Sequence, residues 1–283
     1  MQNNVNSYFV PVAEPLLKGK TAIVTGCSSG IGAATTLTFL RHSANVVGCY
    51  FSDADAVLSS EDKIEEVKRE VEKLGLELKF TPHNIDIGHL QTPEILTMSA
   101  KNNYGSIDIL VNIAGIAKFS EFEDMTRNQY YQTLETNLNG AVFLTQEVAK
   151  YMKQNQLCNG SRGSIINLSS VTGTRTGEDG VLDYGITKGA ILSLSLELAV
   201  ELGNYRIRSN SISPGSIVTP INHRDYENQS RRVLIEQRTA LGRWGHPQEV
   251  ANVALFLASD LSSYITGANI LVDGGLSTTF KLQ

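Results

Sequence analysis

The chain has 283 residues, of which 41% are hydrophobic, and a formal net charge of −5 at pH 7. This mildly acidic balance, without a basic cluster, argues against nucleic acid or an anionic membrane as a partner. The three cysteines, Cys27, Cys49 and Cys158, are too few and too scattered to predict a disulfide framework or a metal site, so a reducing cytoplasm is expected.

The first residues of the chain show no targeting signal. Residues 1–17 contain no basic residue and no long apolar run, so neither a secretory signal peptide nor a mitochondrial transit peptide is expected. No segment reaches the length of a membrane span. We expect an N-terminal arm at 1–17, either disordered or packed on a neighbouring surface, followed by one domain at 18–283.

Short apolar runs alternate with longer helical segments along the chain. Seven runs with near-continuous apolar character are predicted as strands buried on both faces, at 21–26, 44–51, 79–87, 107–115, 163–170, 206–215 and 269–275. Helical segments between them include 61–75, 126–154, 184–203 and 247–259. This order predicts an α/β single-domain Rossmann fold, in which a seven-stranded parallel doubly wound sheet carries helices on both faces. The least regular stretch, 216–246, follows a strand end and is placed to cover a ligand site.

The first strand runs into a helix through a glycine-rich turn. Gly26, Gly30 and Gly32 permit a tight turn and a close approach of the backbone to a ligand. The amides at the start of the following helix would then face a pyrophosphate. The turn therefore indicates a dinucleotide site, although a sharp turn that only packs the helix on the sheet remains the alternative.

The spacing of these glycines resembles the signature of the short-chain dehydrogenase/reductase family. The further family marks occur in the correct order from residue 20 to about 275: "TGCSSGIG" at 25–32, "NIAG" at 112–115, Asn137 in "ETNLNG", "SS" at 169–170, "YGITK" at 184–188 and "SPGSIVT" at 213–219. The resemblance is closest to 3-oxoacyl-[acyl-carrier-protein] reductases and glucose dehydrogenase-like members. It implies an NAD(P)-dependent oxidoreductase that moves hydride between a nicotinamide and a ketone or secondary alcohol.

Tyr184 and Lys188 lie one turn apart on one helix face. Taken alone, such a pair is more often a packed tyrosine beside a solvated lysine. The family resemblance implies instead that Tyr184 is the general acid/base. A free tyrosine has a pKa of ~10, and we expect the Lys188 ammonium and a positive nicotinamide to lower it toward working pH. Lys188 would also hold a ribose hydroxyl of the cofactor.

Two further residues complete the catalytic set that the resemblance implies. Ser170 would hydrogen-bond the substrate oxygen as charge develops on it, and Asn137 would hold a water beside Lys188. Thirteen residues separate Ser170 from Tyr184, one more than the family usually has. The loop-like stretch 172–182 can absorb the extra residue, and Ser169 stays open as the alternative serine.

No residue at the end of the second predicted strand decides between NAD(H) and NADP(H) as the cofactor. An acid there would bind the ribose hydroxyls of NAD, but Phe51 and Ser52 follow the strand, and Asp53 comes slightly late. Serines near the first turn could bind a 2′-phosphate, so NADP(H) is favoured over NAD(H). The predicted cofactor-binding residues are Gly26, Ser28, Ser29, Gly30, Ile31, Gly32, Tyr50, Phe51, Ser52, Asp86, Ile87, Asn112, Ala114, Gly115, Tyr184, Lys188, Pro214, Gly215, Ile217 and Thr219.

The residues do not identify the substrate beyond a small-molecule carbonyl or alcohol. A nucleotide-binding redox sensor without turnover is the alternative function, but a sensor would have little need of all four catalytic candidates. No metal site is predicted. Broad apolar faces on 138–154 and 184–203 predict a homo-oligomer, a tetramer or dimer, although such faces also serve simple burial against a sheet.

Overall fold

Seven parallel strands form the central sheet of the protein, in the order β3-β2-β1-β4-β5-β6-β7. The structure is a computed structural model that describes residues 14–51 and 60–278. The strands are β1 (Thr21–Thr25), β2 (Asn45–Tyr50), β3 (Phe80–Asn84), β4 (Ile109–Asn112), β5 (Gly163–Leu168), β6 (Ile207–Pro214) and β7 (Asn269–Val272). The predicted α/β Rossmann fold with a seven-stranded parallel sheet is confirmed.

Helices connect consecutive strands and cover both faces of the sheet. They are α1 (Gly30–Arg41), α2 (Ser60–Lys73), α3 (Thr92–Tyr104), α4 (Arg127–Leu134), α5 (Gly140–Met152), α6 (Leu182–Gly203), α7 (His223–Glu227), α8 (Gln229–Arg238) and α9 (Pro247–Ala258). None of the helices in the described ranges is both long and apolar enough to cross a membrane.

The two faces of the sheet support two separate hydrophobic clusters. Ala22 and Val24 of β1 belong to the cluster that includes side chains of α1 and α9. Ile23, between them, belongs to the opposite cluster, with side chains of α3 and α5. This alternation follows from the two-residue repeat of a strand. Because both faces are covered, all five residues of β1 are buried.

The direction of the chain across the sheet reverses between β1 and β4. From β1 the chain proceeds outward to β2 and β3, and it then returns to build β4 on the other side of β1. The loops that follow β1 and β4 therefore diverge to opposite faces, and a crevice opens at their carboxyl ends.

The structure corrects three details of the predicted helices. The segment 126–154 is not one regular helix, because a π-helical turn at Glu135–Asn139 separates α4 from α5. The stretch 216–246, predicted as irregular, contains α7 and α8. Helix α3 was not identified in the sequence, where its mixed polar residues give only a weak amphipathic pattern.

The end of the predicted N-terminal arm packs on the domain. Leu17 is buried in the cluster beneath α1, and its backbone N–H donates to the carbonyl oxygen of His42 at 3.1 Å. Residues 1–13 of the arm lie outside the described residues. The division at residue 17 remains a prediction.

Candidate active site

The glycine-rich turn after β1 forms one wall of a cavity of about 1020 Å³. Gly26 and Gly30 have φ angles of 70° and 52°, which side chains of L-residues rarely permit. A Cβ atom on Gly32 would lie 1.9 Å from the carbonyl oxygen of Gly26, so no larger residue fits there. The first turn of α1 opens onto the cavity, where an anion would meet the positive end of the helix dipole.

The turn after β4 lies beside the first turn and carries the next part of the wall. The Thr25 hydroxyl accepts a hydrogen bond from the backbone N–H of Ala114 at 2.9 Å, which ties the ends of β1 and β4 together. A Cβ atom on Gly115 would lie 3.2 Å from Asn137 Oδ1 and 3.5 Å from Lys188 Nζ. The glycine therefore brings the backbone close to both polar groups.

The loop after β6 closes the cavity opposite the glycine-rich turn. Its lining residues include Pro214, Gly215, Ile217 and Thr219. The Thr219 methyl group would lie 3.1 Å from a Cβ atom on Gly30, so the two loops meet closely. A cradle of glycines at a helix N-terminus, at the carboxyl ends of parallel strands, fits a dinucleotide.

Helix α6 places Tyr184 and Lys188 on the cavity wall. The Tyr184 side chain is hydrogen-bonded to Ser170 at the end of β5. Lys188 Nζ donates to the carbonyl oxygen of Leu168 at 2.8 Å and lies 5.5 Å from the centre of the Tyr184 ring. Lys188 is 3% exposed, so the alternative interpretation, in which it is a solvated surface lysine, is wrong.

The electrostatics of the pair differ from the sequence-based expectation. Burial raises the pKa of Tyr184 to about 12, which outweighs the lowering by the hydrogen bond from Ser170, and the nearby Glu178 carboxylate raises it further. Burial lowers the pKa of Lys188 to about 8. The expected lowering of the tyrosine pKa by Lys188 is therefore not a property of the protein residues alone, because Lys188 is itself poorly solvated and bound to a carbonyl oxygen.

The two candidate serines have different surroundings. The Ser169 hydroxyl donates to the carbonyl oxygen of Lys188 at 2.7 Å, which fixes β5 to α6. The Ser170 hydroxyl bonds Tyr184 and accepts from the backbone N–H of Thr172 at 3.1 Å. This geometry favours Ser170 beside the tyrosine. The extra residue before Tyr184 is accommodated by turns within 171–181.

Asn137 lies in the π-helical turn between α4 and α5. Its side-chain oxygen accepts from the backbone N–H of Ile116 at 2.8 Å, and its side-chain nitrogen donates to the Ile116 carbonyl oxygen at 2.9 Å. The amide thereby anchors the loop that follows β4. A small second cavity of about 10 Å³ adjoins both Asn137 and Lys188, which is close to the minimum for one water molecule.

The remaining predicted residues divide into those on the main cavity and those behind it. Ser29, Ile31, Phe51 and Ala114 are also on its wall. Ile87 and Asn112 border the small cavity instead, and Ser28, Tyr50 and Asp86 border neither cavity. Ser52 lies outside the described residues. The cofactor roles of all these residues stay predictions.

Four charged residues on the cavity wall were not among the predicted site residues. They are Lys63 on α2, Glu178 in the loop before α6, Asp225 on α7 and Arg238 on α8. No spacing motif marks them, because each depends on how a loop or helix folds over the strand ends. Within the described ranges, no group of three or more His, Cys, Asp or Glu residues is placed to hold a metal ion.

Comparison with protein families gives one matching family model. The model described as "Enoyl-(Acyl carrier protein) reductase" matches residues 26–277. This range includes the glycine-rich turn, both candidate serines and helix α6.

Individual proteins of known name are also similar to this chain. An L-rhamnose 1-dehydrogenase (NAD(P)⁺) of Azotobacter vinelandii is 40% identical over 264 residues, which is 92% of this chain and 98% of that protein. A 3-oxoacyl-[acyl-carrier-protein] reductase of Thermotoga maritima is 36% identical over 260 residues, or 92% and 98% of the two chains. The crystal structure of a gluconate 5-dehydrogenase from Burkholderia cenocepacia, in complex with NADP and tartrate, superposes with a TM-score of 0.81. It is 27% identical, and the match covers 93% of this chain and 97% of that chain.

Proposed function

Because the chain belongs to the short-chain dehydrogenase/reductase family, we propose that it oxidises a neutral sugar with NADP⁺ at Tyr184. Family membership makes the chain an NAD(P)-dependent oxidoreductase that acts on alcohol or carbonyl groups. The sugar substrate, the choice of NADP⁺ and the residue roles are the proposal. The relatives described above are dehydrogenases and reductases, so the comparisons lend no support to a redox sensor.

The observation that carries the proposal is the position of Tyr184. Its hydroxyl group bonds Ser170, beside the buried Lys188, on the wall of a cavity that begins at the glycine-rich turn. A hydroxyl group of the substrate placed between Tyr184 and Ser170 would meet a proton acceptor and a hydrogen-bond donor at once.

Oxidation breaks the C–H and O–H bonds of the reacting alcohol and forms a C=O bond. Tyr184, as the phenolate, accepts the hydroxyl proton, and Ser170 donates a hydrogen bond to the same oxygen. A bound oxidised nicotinamide supplies the hydride acceptor, and its positive charge favours the phenolate. In the reverse direction, the Tyr184 hydroxyl returns the proton to the carbonyl oxygen. Lys188 and Asn137 connect the tyrosine to the small adjoining cavity, where a water molecule would relay the proton.

A sugar is the best supported substrate class. The relative in Azotobacter vinelandii is named for L-rhamnose, and the substrate end of this cavity carries polar groups such as Glu178, Asn222 and Asp225. The proposed reaction on L-rhamnose removes hydride from the anomeric carbon and yields the lactone. A 3-oxoacyl thioester is the second candidate, because a reductase of that substrate is 36% identical.

A substrate panel tests the proposal. Purified protein is assayed with NADP⁺ and neutral aldoses, L-rhamnose among them, and separately with NADPH and a 3-oxoacyl thioester. We expect oxidation of a neutral aldose at a rate well above that of thioester reduction. Faster thioester reduction would favour the second candidate, and turnover of neither would contradict both.

The preference for NADP⁺ is supported by two residues on the cavity wall. Ser29 precedes α1 and makes no capping hydrogen bond, and Lys63 on α2 contributes a cation to the same cavity. Phe51, at the end of β2, brings no negative charge to that wall. A 2′-phosphate would therefore meet a hydroxyl donor and an ammonium, rather than the repulsion an acid would cause.

Replacing Lys63 with alanine should lower the preference for NADP⁺. We expect the ratio of kcat/KM for NADP⁺ to that for NAD⁺ to fall about tenfold. This factor corresponds to the lower range of the free energy of a hydrogen bond made by a charged group. Lys68→Ala is the matched control, because Lys68 lies on the same helix and pairs with Glu65 on the surface. An unchanged ratio in the Lys63→Ala protein would remove Lys63 from the cofactor site.

We also propose that the protein is a cytoplasmic homo-oligomer that pairs through α5 and α6. Phe143 on α5 is 53% exposed, and Leu196 and Val200, one turn apart on α6, are 48% and 77% exposed. Apolar side chains so placed favour burial against a second copy. Light scattering should give at least twice the mass of the chain, and Val200→Asp should reduce it. A monomer at micromolar concentration would contradict this assembly.

A further inference from the structure

The part of the cavity wall away from the glycine-rich turn combines apolar side chains with charged groups. The apolar part includes Phe119, Val181 and Leu234. Two carboxyl groups, of Glu178 and Asp225, and the guanidinium of Arg238 also line the cavity. The two acids are close enough for the Asp225 charge to raise the pKa of Glu178. The two carboxyl groups differ, however, in the hydrogen bonds and ion pairs that they receive from the protein.

Asp225 is committed to a contact within the protein. Its side-chain oxygen accepts a hydrogen bond from Arg231 at 2.8 Å, and the residue is 8% exposed. The ion pair between Asp225 on α7 and Arg231 on α8 offsets this negative charge and links the two short helices. Asp225 is a supporting element of the wall.

Glu178 remains open to the cavity. Its oxygen Oε2 accepts a hydrogen bond from the Thr172 hydroxyl at 3.2 Å. No Lys, Arg or His in the described ranges forms an ion pair with it. The side chain is exposed to the cavity, yet the surrounding protein desolvates it enough to raise its pKa. A ligand can therefore reach a carboxylate that the protein leaves incompletely bonded.

Glu178 is also connected to the reacting groups. Thr172 holds it through the hydroxyl group, and the backbone N–H of Thr172 donates to Ser170. The charge of Glu178 raises the pKa of Tyr184, which places the carboxylate within electrostatic reach of the phenol. A substrate whose reacting oxygen lies between Tyr184 and Ser170 would therefore occupy the cavity that Glu178 also lines.

The chemistry of a carboxylate restricts what binds there. An ionised carboxylate only accepts hydrogen bonds, and its two oxygens suit two adjacent O–H donors. A sugar offers such donors on the carbon atoms next to the reacting one. A sugar acid that placed its carboxylate beside Glu178 would bring a second negative charge to that position and be repelled there, and a 3-oxoacyl chain would offer carbonyl acceptors with no donor.

We propose that Glu178 is a specificity-determining residue, which accepts hydrogen bonds from hydroxyl groups beside the reacting carbon and selects neutral sugars over sugar acids. This inference rests on the proposed function and deepens it. It predicts a substrate class different from the one named for the gluconate 5-dehydrogenase, whose structure superposes with a TM-score of 0.81.

The test compares three variants on a neutral aldose, L-rhamnose, and on an acid, gluconate. Glu178→Gln keeps the size of the side chain and removes its charge. We expect kcat/KM for the aldose to fall about tenfold, mainly through KM, and the ratio of gluconate to aldose activity to rise by at least that factor. Glu178→Asp keeps the charge and should keep the rejection of gluconate. Asp179→Asn, an exposed neighbour outside the cavity wall, should change neither quantity.

The pH profile of the oxidation rate shows whether Glu178 acts through its charge or only supports the fold. The charge of Glu178 raises the pKa of Tyr184. The pKa of Glu178 is in turn raised by the charge of Asp225 and lowered by that of Arg231. Removal of the Glu178 charge lowers the pKa of the phenol, so the alkaline rise of the oxidation rate should move to lower pH in Glu178→Gln. Asp179→Asn should leave the profile in place.

The outcomes separate this inference from the proposed function. If the wild-type protein oxidises no neutral aldose, the proposed function fails and this inference fails with it. If the wild-type protein oxidises aldoses while Glu178→Gln keeps both the gluconate ratio and the pH profile, only this inference is overturned.

Discussion

Replacing Tyr184 with phenylalanine should lower kcat about a thousandfold and leave the fold intact. The substitution removes one oxygen atom, and with it the group that accepts the substrate proton. The ring remains packed beside Lys188, which lies 5.5 Å from its centre. Binding of NADPH, followed by nicotinamide fluorescence, should change little.

Tyr205→Phe is the matched control for this prediction. Tyr205 lies just beyond the end of α6 and is 43% exposed, with Lys153 over its ring at 4.1 Å. The same loss of a hydroxyl group there should leave kcat unchanged. Normal turnover in the Tyr184→Phe protein would exclude Tyr184 as the proton acceptor.

Replacing Lys188 with methionine should lower kcat/KM about a hundredfold. Methionine retains an unbranched side chain of similar length, but it cannot donate to a ribose hydroxyl or to the carbonyl oxygen of Leu168, which Lys188 bonds at 2.8 Å. The magnitude corresponds to the upper range for a hydrogen bond made by a charged group. Lys150→Met, on the exposed face of α5 and paired with Glu147, should keep the wild-type value.

The pH dependence of stability gives Lys188→Met a readout separate from activity. Burial lowers the pKa of Lys188 from 10.5 to about 8, so between these values the unfolded chain binds the proton more than the folded one does. The contribution of this group to the free energy of unfolding therefore rises with pH from about 8 to 10.5 and is most unfavourable below that window. Lys188→Met should lose this rise and should be no less stable at neutral pH. A strong loss of stability there would mean that Lys188 mainly supports the fold.

The sheet could be predicted because its strands are nearly continuous apolar runs. β1, for example, was predicted at 21–26 and lies at Thr21–Thr25. The prediction is one residue too long, because Gly26 already belongs to the turn after the strand. The helix α6 was predicted from residue 184 and begins at Leu182. Such elements can be recognised from a short stretch of sequence, because a strand buried on both faces is almost continuously apolar and a helix buried on one face has a periodic apolar pattern.

The less predictable features depend on contacts distant in the chain. Asn137 lies in a π-helical turn, where its amide bonds the backbone of Ile116, and the apolar pattern of 126–154 does not reveal that turn. The carbonyl partner of Lys188 is Leu168, twenty residues earlier. The family resemblance predicted the Tyr184 and Lys188 pair, but the sequence did not reveal the pKa values that burial gives them.

The charged residues of the cavity wall were the hardest to predict. Glu178 belongs to a loop, and Asp225 to the short helix α7 within a stretch that was predicted as irregular. Lys63 is one of several charged residues on a largely exposed helix. Only the folded arrangement brings all three to one cavity wall.

In the proposed reaction, hydride leaves a sugar carbon at the site of Tyr184. The most direct measurement is a single turnover with NADP⁺ and L-rhamnose deuterated at the anomeric carbon, followed by mass spectrometry of the reduced cofactor. We expect NADPH that carries one deuterium from the wild-type protein, and no labelled product from Tyr184→Phe on the same timescale. Reduced cofactor without deuterium, or equal labelling by the two proteins, would overturn the proposed hydride transfer.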